Sequence, residues 1–326
     1  MKAKMNRGIT NIEDTECRLQ IGDVCCALRF KDPAYSSYLK ERLKRYITEE
    51  EADLTIDITV NVTLDKEESN LPYPLFTSKS VNVNGNDFEF YNGLIKGTLN
   101  LEDKRCAAFF SGKGIDAFKH FMFMVYYTLM KYCHPGESKN NFLVHACAVS
   151  RDGEGYVFVG PSKSGKSTIA RLSSDYSVLN DETVIIKKEK GSYIVGSTPF
   201  RGDFLDNENV SAPLKAIFLI KHGNGKNIIK SISKMEFITR FIREVISPNT
   251  LFSTNVENAF LEMLDFCADV ASEVPFYELQ FLPDRSFWDS IDELERGGRG
   301  CEDTQYNAVL VYHGARREHA VGKDMG

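Results

Sequence analysis

The sequence predicts an α/β fold, with a phosphate-loop core preceded by a β-rich α+β N-terminal region. Three observations carry this prediction. Residues 156–172, YVFVGPSKSGKSTIARL, set a G-x-x-x-x-G-K-[ST] window between an apolar β-type run and a helix-compatible one. Downstream, β-type runs alternate with segments of helical spacing. Upstream, short alternating runs are separated by turn residues.

Residues 17–23 and 24–30, CRLQIGD and VCCALRF, read as a strand pair, and residues 32–47 carry Tyr and Leu at helical spacing. Residues 52–63, ADLTIDITVNVT, alternate as a half-buried strand. A meander follows over 80–112, with Asn-Gly at 84–85 and 92–93 as turn signals. Residues 114–133, GIDAFKHFMFMVYYTLMKYC, form a helix apolar enough to be buried on most of its surface. HPGESKNN reads as a linker. Residues 142–160 are two β-type runs joined at Asp152-Gly153, the second delivering the chain into the phosphate loop. Residues 175–200 read as strand, turn, strand; 213–222 and 274–282 are strands; 233–246, 255–271 and 286–297 are helical. The units are therefore 1–135 (N-terminal region), 136–295 (phosphate-loop domain) and 296–326, a tail whose weak periodicity predicts poor order.

Composition excludes several classes. Of the 326 residues 42% are hydrophobic and 26% charged, as in soluble globular proteins. A net charge of −6 argues against general nucleic-acid binding, which needs a basic surface. The 8 cysteines show no C-x-x-C spacing and several lie in apolar runs, which predicts a reducing cytoplasm. The N-terminus lacks a signal-peptide apolar core, and the longest apolar run, 121–130, is too short to insert into a membrane.

The window spans Gly160, Pro161, Ser162, Lys163, Ser164, Gly165, Lys166 and Ser167, followed by Thr168. Its backbone N–H groups suit phosphate oxygens, the Lys166 ammonium suits the β- and γ-phosphates, and the Ser167 hydroxyl suits Mg²⁺. Many such loops carry glycine where Lys163 stands, so position 163 either accommodates a side chain or departs from the common geometry. Asp181 and Glu182 follow a strand-like SVL, a position that commonly faces ligands in α/β sheets. A hydroxyl attacking a γ-phosphoryl group needs a nearby carboxylate, and Mg²⁺ needs oxygen ligands. Arg201, in TPFRGDF, is a candidate to hold the γ-phosphate or an acidic substrate. Arg240 and Arg243, one helical turn apart, read as a solvated face.

LVHACAV, the hairpin into GPSKSGKST, LNDETVII and TPF together resemble HPr kinase/phosphorylase and its wider group, over roughly residues 140–292. The resemblance implies a P-loop kinase core of the HPr-kinase/phosphoenolpyruvate-carboxykinase type. It also implies ATP and Mg²⁺ as cofactors and catalytic roles for Lys166, Asp181 and His145. Asp181 would accept the proton of the attacking hydroxyl or organise the metal, His145 would lie near the phosphates, and Ser167 and Glu182 would be metal ligands. The second acid of the family's pair is more usually Asp. The long glycine-rich segment of true HPr kinases has no counterpart here, and residues 1–135 do not resemble their N-terminal domain. PLKAIFLI and YELQFLPDRSFW resemble instead kinases encoded with ribosomal peptide clusters, including those that phosphorylate the C-terminal serine of lasso-peptide precursors. The expected activity is an ATP-dependent serine kinase acting on a peptide or small protein. The alternatives are a nucleotide-binding regulatory or scaffold protein and a small-molecule kinase. A GTPase is disfavoured by the lack of Asn-Lys-x-Asp, and a transport ATPase by the lack of Leu-Ser-Gly-Gly. Homo-oligomerisation is left open. The N-terminal region, with alternating strands and free edges, is expected to help deliver the peptide.

Overall fold

The computed structural model describes residues 15–60, 81–91, 94–135, 140–204, 209–246, 256–298 and 309–311, and the architecture is mixed α/β. The first sheet holds β1 (Glu16–Ile21), β2 (Val24–Phe30), β3 (Leu54–Val60), β4 (Val81–Asn84), β5 (Asp87–Tyr91), β6 (Ile95–Asn100) and β7 (Arg105–Phe110). Their order is β1-β2-β3-β7-β6-β5-β4, with β2–β3 and β3–β7 parallel. Alternation buries one face of β1 and β5 and wets the other. On the buried face lie α1 (Pro33–Leu43) and α2 (Ile115–Cys133). Helix α1 begins where Pro33 fixes the first turn and the Asp32 carboxylate accepts from the N–H groups of Ala34 and Tyr35.

The second sheet is built from β8 (Asn141–Val144), β9 (Ala146–Arg151), β10 (Glu154–Val159), β11 (Ser177–Asn180), β12 (Val184–Glu189), β13 (Ser192–Gly196), β14 (Ser211–His222), β15 (Ile228–Lys230), β16 (Phe276–Phe281) and β17 (Val309–Val311). Strand β14 is central, parallel to β10 on one side and to β16 on the other. Its apolar run and that of β10 reflect burial on both faces. Val157 and Val159 of β10 face the core shared with α4 (Lys234–Phe241) and α5 (Val256–Glu273). Tyr156 and Phe158 face the core shared with α3 (Lys166–Leu172) and α6 (Ser286–Gly298), where the Trp288 ring stands edge-on to both. The β9–β10 hairpin turns through Asp152 and Gly153, with φ of 55° and 80°.

Helix α2 joins the two sheets. It is buried from Ala117 to Met130 except at Lys119 and His120, and its core also takes in Leu143, Ile185 and Phe200 of the second half. The Tyr126 hydroxyl donates to Asn141 at 2.6 Å. The Tyr127 hydroxyl donates to the Ile246 carbonyl at 2.6 Å and accepts from the Leu143 N–H at 3.0 Å. Asp23, in the β1–β2 turn, pairs with Lys187 of β12 at 2.6 Å.

Two elements differ from the sequence reading. The helix expected over 233–246 stops at Phe241, because the next residues turn to bring Val245 into a bridge with Val144. Arg243 is thus off the helix, and Arg240 is ion-paired with Glu278 at 2.7 Å, so the two do not form one solvated helical face. Most of the expected tail lies outside the described residues, as do Asn92-Gly93 and the middle of the 134–141 linker. Within the tail, Val309–Val311 is a strand paired with β15. No helix among the described residues is long and apolar enough to cross a membrane.

Tyr127→Phe keeps the ring but strands the buried Leu143 N–H and the part-buried Ile246 carbonyl, so it should cost about 1–3 kcal/mol. Urea unfolding checks this: the midpoint should fall at unchanged slope.

Candidate active site

Strand register gathers the candidate residues at one edge of the second sheet. Val159, the last residue of β10, pairs with Ala146 of β9 and with Leu219 of β14; Ile220 pairs with Leu279 of β16, and Asn180 of β11 faces Ala148. The 160–167 loop, His145, the Asp181-Glu182 pair and the Lys221-His222 end of β14 therefore all leave the sheet there, the carboxyl edge at which ligands bind in α/β folds.

Within the loop, Gly165 has φ 107°, and a Cβ there would sit 2.5 Å from the Phe281 ring. Only glycine meets both demands. Lys163 has φ 66°, the left-handed region, which costs a residue with a side chain about 1–2 kcal/mol. That answers the question raised by a lysine where glycine is common: the backbone is glycine-like and the side chain is carried under strain. The Lys166 ammonium is buried and donates to the carbonyls of Gly160 at 2.6 Å and Pro161 at 3.1 Å. Burial pulls its pKa below the ordinary lysine value, against the opposing fields of Glu244 and Glu182. The Ser164 hydroxyl is buried without a hydrogen-bond partner among the described residues. Ser162 is exposed, and Ser167 and Thr168, at the start of α3, are half-buried.

The acids at 181 and 182 behave differently. Asp181 is buried, and its carboxylate accepts from the N–H groups of Gly202, Asp203 and Phe204 at 2.9, 3.1 and 3.2 Å. It thereby fixes the segment that carries Arg201. Asn180 supports the turn beneath by accepting from the N–H groups of Glu182 and Thr183. Glu182 faces the opposite way, 3.0 Å from the Lys119 ammonium and 3.5 Å from His145 Nε2. Burial pushes its pKa up, but His145 and Lys119 outweigh this and hold it at about 2. His145 Nδ1 donates to Glu244 at 2.9 Å, and the His145 N–H donates to the Glu244 carbonyl at 2.8 Å. Burial lowers the His145 pKa, but the two carboxylates prevail and the net shift is upward.

Lys119 and Glu244 are the residues the sequence reading missed. Lys119 had one signal, a charge in a mostly apolar helix; Glu244 had none, because it reaches His145 across 99 residues. The structure joins His145 and Glu182 in one contact network with them, and turns the Asp181 carboxylate toward residues 202–204. Arg201 is half-buried, and its pKa is lowered first by burial and then by Arg42 and Arg45.

The donor chemistry fits the implied cofactors. The unpartnered Ser164 hydroxyl and the glycine-lined turn beside the Lys166 ammonium suit phosphate oxygens. The Ser167 hydroxyl and Glu182 carboxylate are hard oxygen donors, the kind that hold Mg²⁺ jointly with phosphates and water. Beside the first half of the loop lies a cleft of about 490 Å³, walled by Lys163, Lys221, His222, Arg240, Arg243 and Glu244. Of these, Lys221 and Arg240 pair with the buried Glu278 carboxylate at 2.6 and 2.7 Å.

Burial pushes the Glu278 pKa up, but Lys221, Gln280 and Arg240 outweigh it and hold it at about 2. A depressed carboxylate contributes stability that is present above its unfolded pKa and lost as pH falls through the folded one. Melting temperature should therefore drop between about pH 4.5 and about pH 2, with Glu182 adding to the loss in the same window. Glu278→Gln should melt lower at neutral pH and show a shallower acid slope, read by circular dichroism melts across that range.

The family model described as SynChlorMet cassette protein ScmC matches residues 116–296, more than half of the 326-residue chain. Among solved structures, the Hpr(Ser) kinase/phosphatase from Coxiella burnetii is similar at 14% identity over 48% of this chain and 90% of that one, with a TM-score of 0.28. No curated protein matches. Because the matched span takes in α2 as well as the whole candidate site, the chain belongs to the SynChlorMet cassette protein ScmC family.

Proposed function

We propose that this protein is an ATP-dependent kinase that transfers the γ-phosphoryl group to a hydroxyl, that of a serine in a peptide or small protein. One observation carries the reading: a phosphate loop with a buried lysine shares a sheet edge with a carboxylate pair and a histidine held by carboxylates. Loop N–H groups and Lys166 hold the triphosphate and offset the charge that develops in transfer. Ser167 and Glu182 would hold Mg²⁺, which when bound neutralises phosphate charge and orients the γ-phosphoryl group. His145, whose pKa Glu182 and Glu244 raise, sets its imidazole beside the phosphates. Asp181 takes the serine proton as the serine oxygen bonds to the γ-phosphorus and the bond from that phosphorus to the β-phosphate oxygen breaks, releasing ADP. An ionised carboxylate has about four acceptor sites, and the three backbone N–H groups on Asp181 leave one for that hydroxyl.

Those same three bonds favour a second reading, an ATP-binding regulatory protein in which Asp181 only anchors the 202–204 segment.

Lys166→Ala should weaken Mg-ATP binding at least tenfold in a folded protein, by calorimetric titration. Asp181→Asn should keep nucleotide binding and lose about a hundredfold or more in transfer. The assay mixes the protein with Mg-ATP, serine peptides and free serine and follows the mass of each. Transfer at the wild-type rate in Asp181→Asn would make that residue an anchor. Nucleotide binding with no acceptor modified by the wild-type protein would favour the regulatory reading.

A further inference from the structure

We propose that the cleft beside the phosphate loop receives an acidic segment of the acceptor peptide, gripped by Lys163 and Arg243. The proposal rests on the kinase reading and names the substrate class for that site. Four cationic side chains line the cleft. Two are neutralised internally, since Lys221 pairs with Glu278 at 2.6 Å and Arg240 with both Glu278 at 2.7 Å and Glu236 at 3.0 Å. Glu244, the carboxylate on the lining, is committed to His145 at 2.9 Å. Lys163 and Arg243 are both exposed, and neither has an ion-pair partner among the described residues. Two uncompensated cations thus face one cavity.

Lys163 supplies a second, independent observation. Its left-handed backbone, φ 66°, is one that glycine would adopt without strain, and its carbonyl is tied to His222 Nε2 at 3.0 Å. What a lysine adds there is its ammonium, and a strained position kept in a ligand loop points to use of the side chain. Val159, Leu219 and Ile220 also border the cleft, and its exposed charges are the cationic ones. The loop N–H groups and Lys166 already provide for the nucleotide phosphates, and a nucleoside carries no charge to meet a further pair of cations. A carboxylate on the acceptor does. The chain as a whole carries a net charge of −6, so most of its surface repels an acidic ligand and a local cationic cleft fixes where one lands.

The test uses the full chain and two fluorescein-labelled serine decapeptides that differ only in having Asp or Asn on either side of the serine. Binding is followed by anisotropy with Mg-AMP-PNP present. The Asp peptide should bind at least tenfold tighter than the Asn peptide, with the gap narrowing as salt is added. Arg243→Gln should remove the preference, and Arg243→Glu should turn it toward a Lys-flanked peptide. In both variants the melting temperature and the Mg-AMP-PNP affinity should hold. Equal binding of the two peptides, binding of neither, or a matching loss of nucleotide affinity in Arg243→Gln would overturn the proposal, the last by assigning the cleft to the nucleoside. The two readings fail separately. Tight binding of the Asp peptide with no phosphate transferred from Mg-ATP keeps the cleft assignment and removes the kinase, whereas equal transfer to both peptides keeps the kinase and removes the cleft assignment.

Discussion

The burial of α2 between two sheets is the constraint on which the candidate site depends. A helix so apolar must be covered on nearly all sides, and one sheet offers one face. The first sheet covers part of it, and Leu143, Ile185 and Phe200 cover more. Docking there also settles polar groups: the Tyr127 hydroxyl bridges the Leu143 N–H and the Ile246 carbonyl, which flank His145 and Glu244. The packing that hides α2 is what sets Lys119 against Glu182.

Half-buried ionisable groups are tolerated at this edge because acid stands beside base. Lys119, Glu182, His145 and Glu244 form a chain in which Glu182 lies between Lys119 and His145, and His145 between Glu182 and Glu244. Removing one member of such a chain leaves a half-buried neighbour short of its partner, which costs more than the pair contributed. Asp181 escapes the same difficulty by another route, with backbone N–H groups in place of cations.

Much of the second half was legible because its signals are local. The phosphate-loop window, the β-type run before it and the Asp152-Gly153 turn each lie within a few residues, and the structure has a hairpin, a turn and a helix at those places. The mixed α/β class followed from the same alternation. His145 and Glu182 were named from a pattern in sequence order, and they lie in contact. What could not be read was which groups would meet them. Lys119 reaches Glu182 across 63 residues and Glu244 reaches His145 across 99, and neither is foretold by periodicity. The extent of the helix before Arg243 was misread for a related reason. Its apolar spacing runs past Phe241, but pairing of Val245 with Val144 wins over helical propensity.

The shared burial of α2 also decides how this protein can be taken apart. The family match begins at residue 116, inside α2, so the helix travels with the second half although it also packs in the core of the sheet before it. A fragment cut at residue 136 would bare Leu143, Ile185 and Phe200 to water and leave Glu182 without its lysine. Such a piece is no portable module. It would be sticky where α2 belongs and electrostatically unbalanced at the site, and a graft of this chemistry onto another scaffold has to carry the helix along.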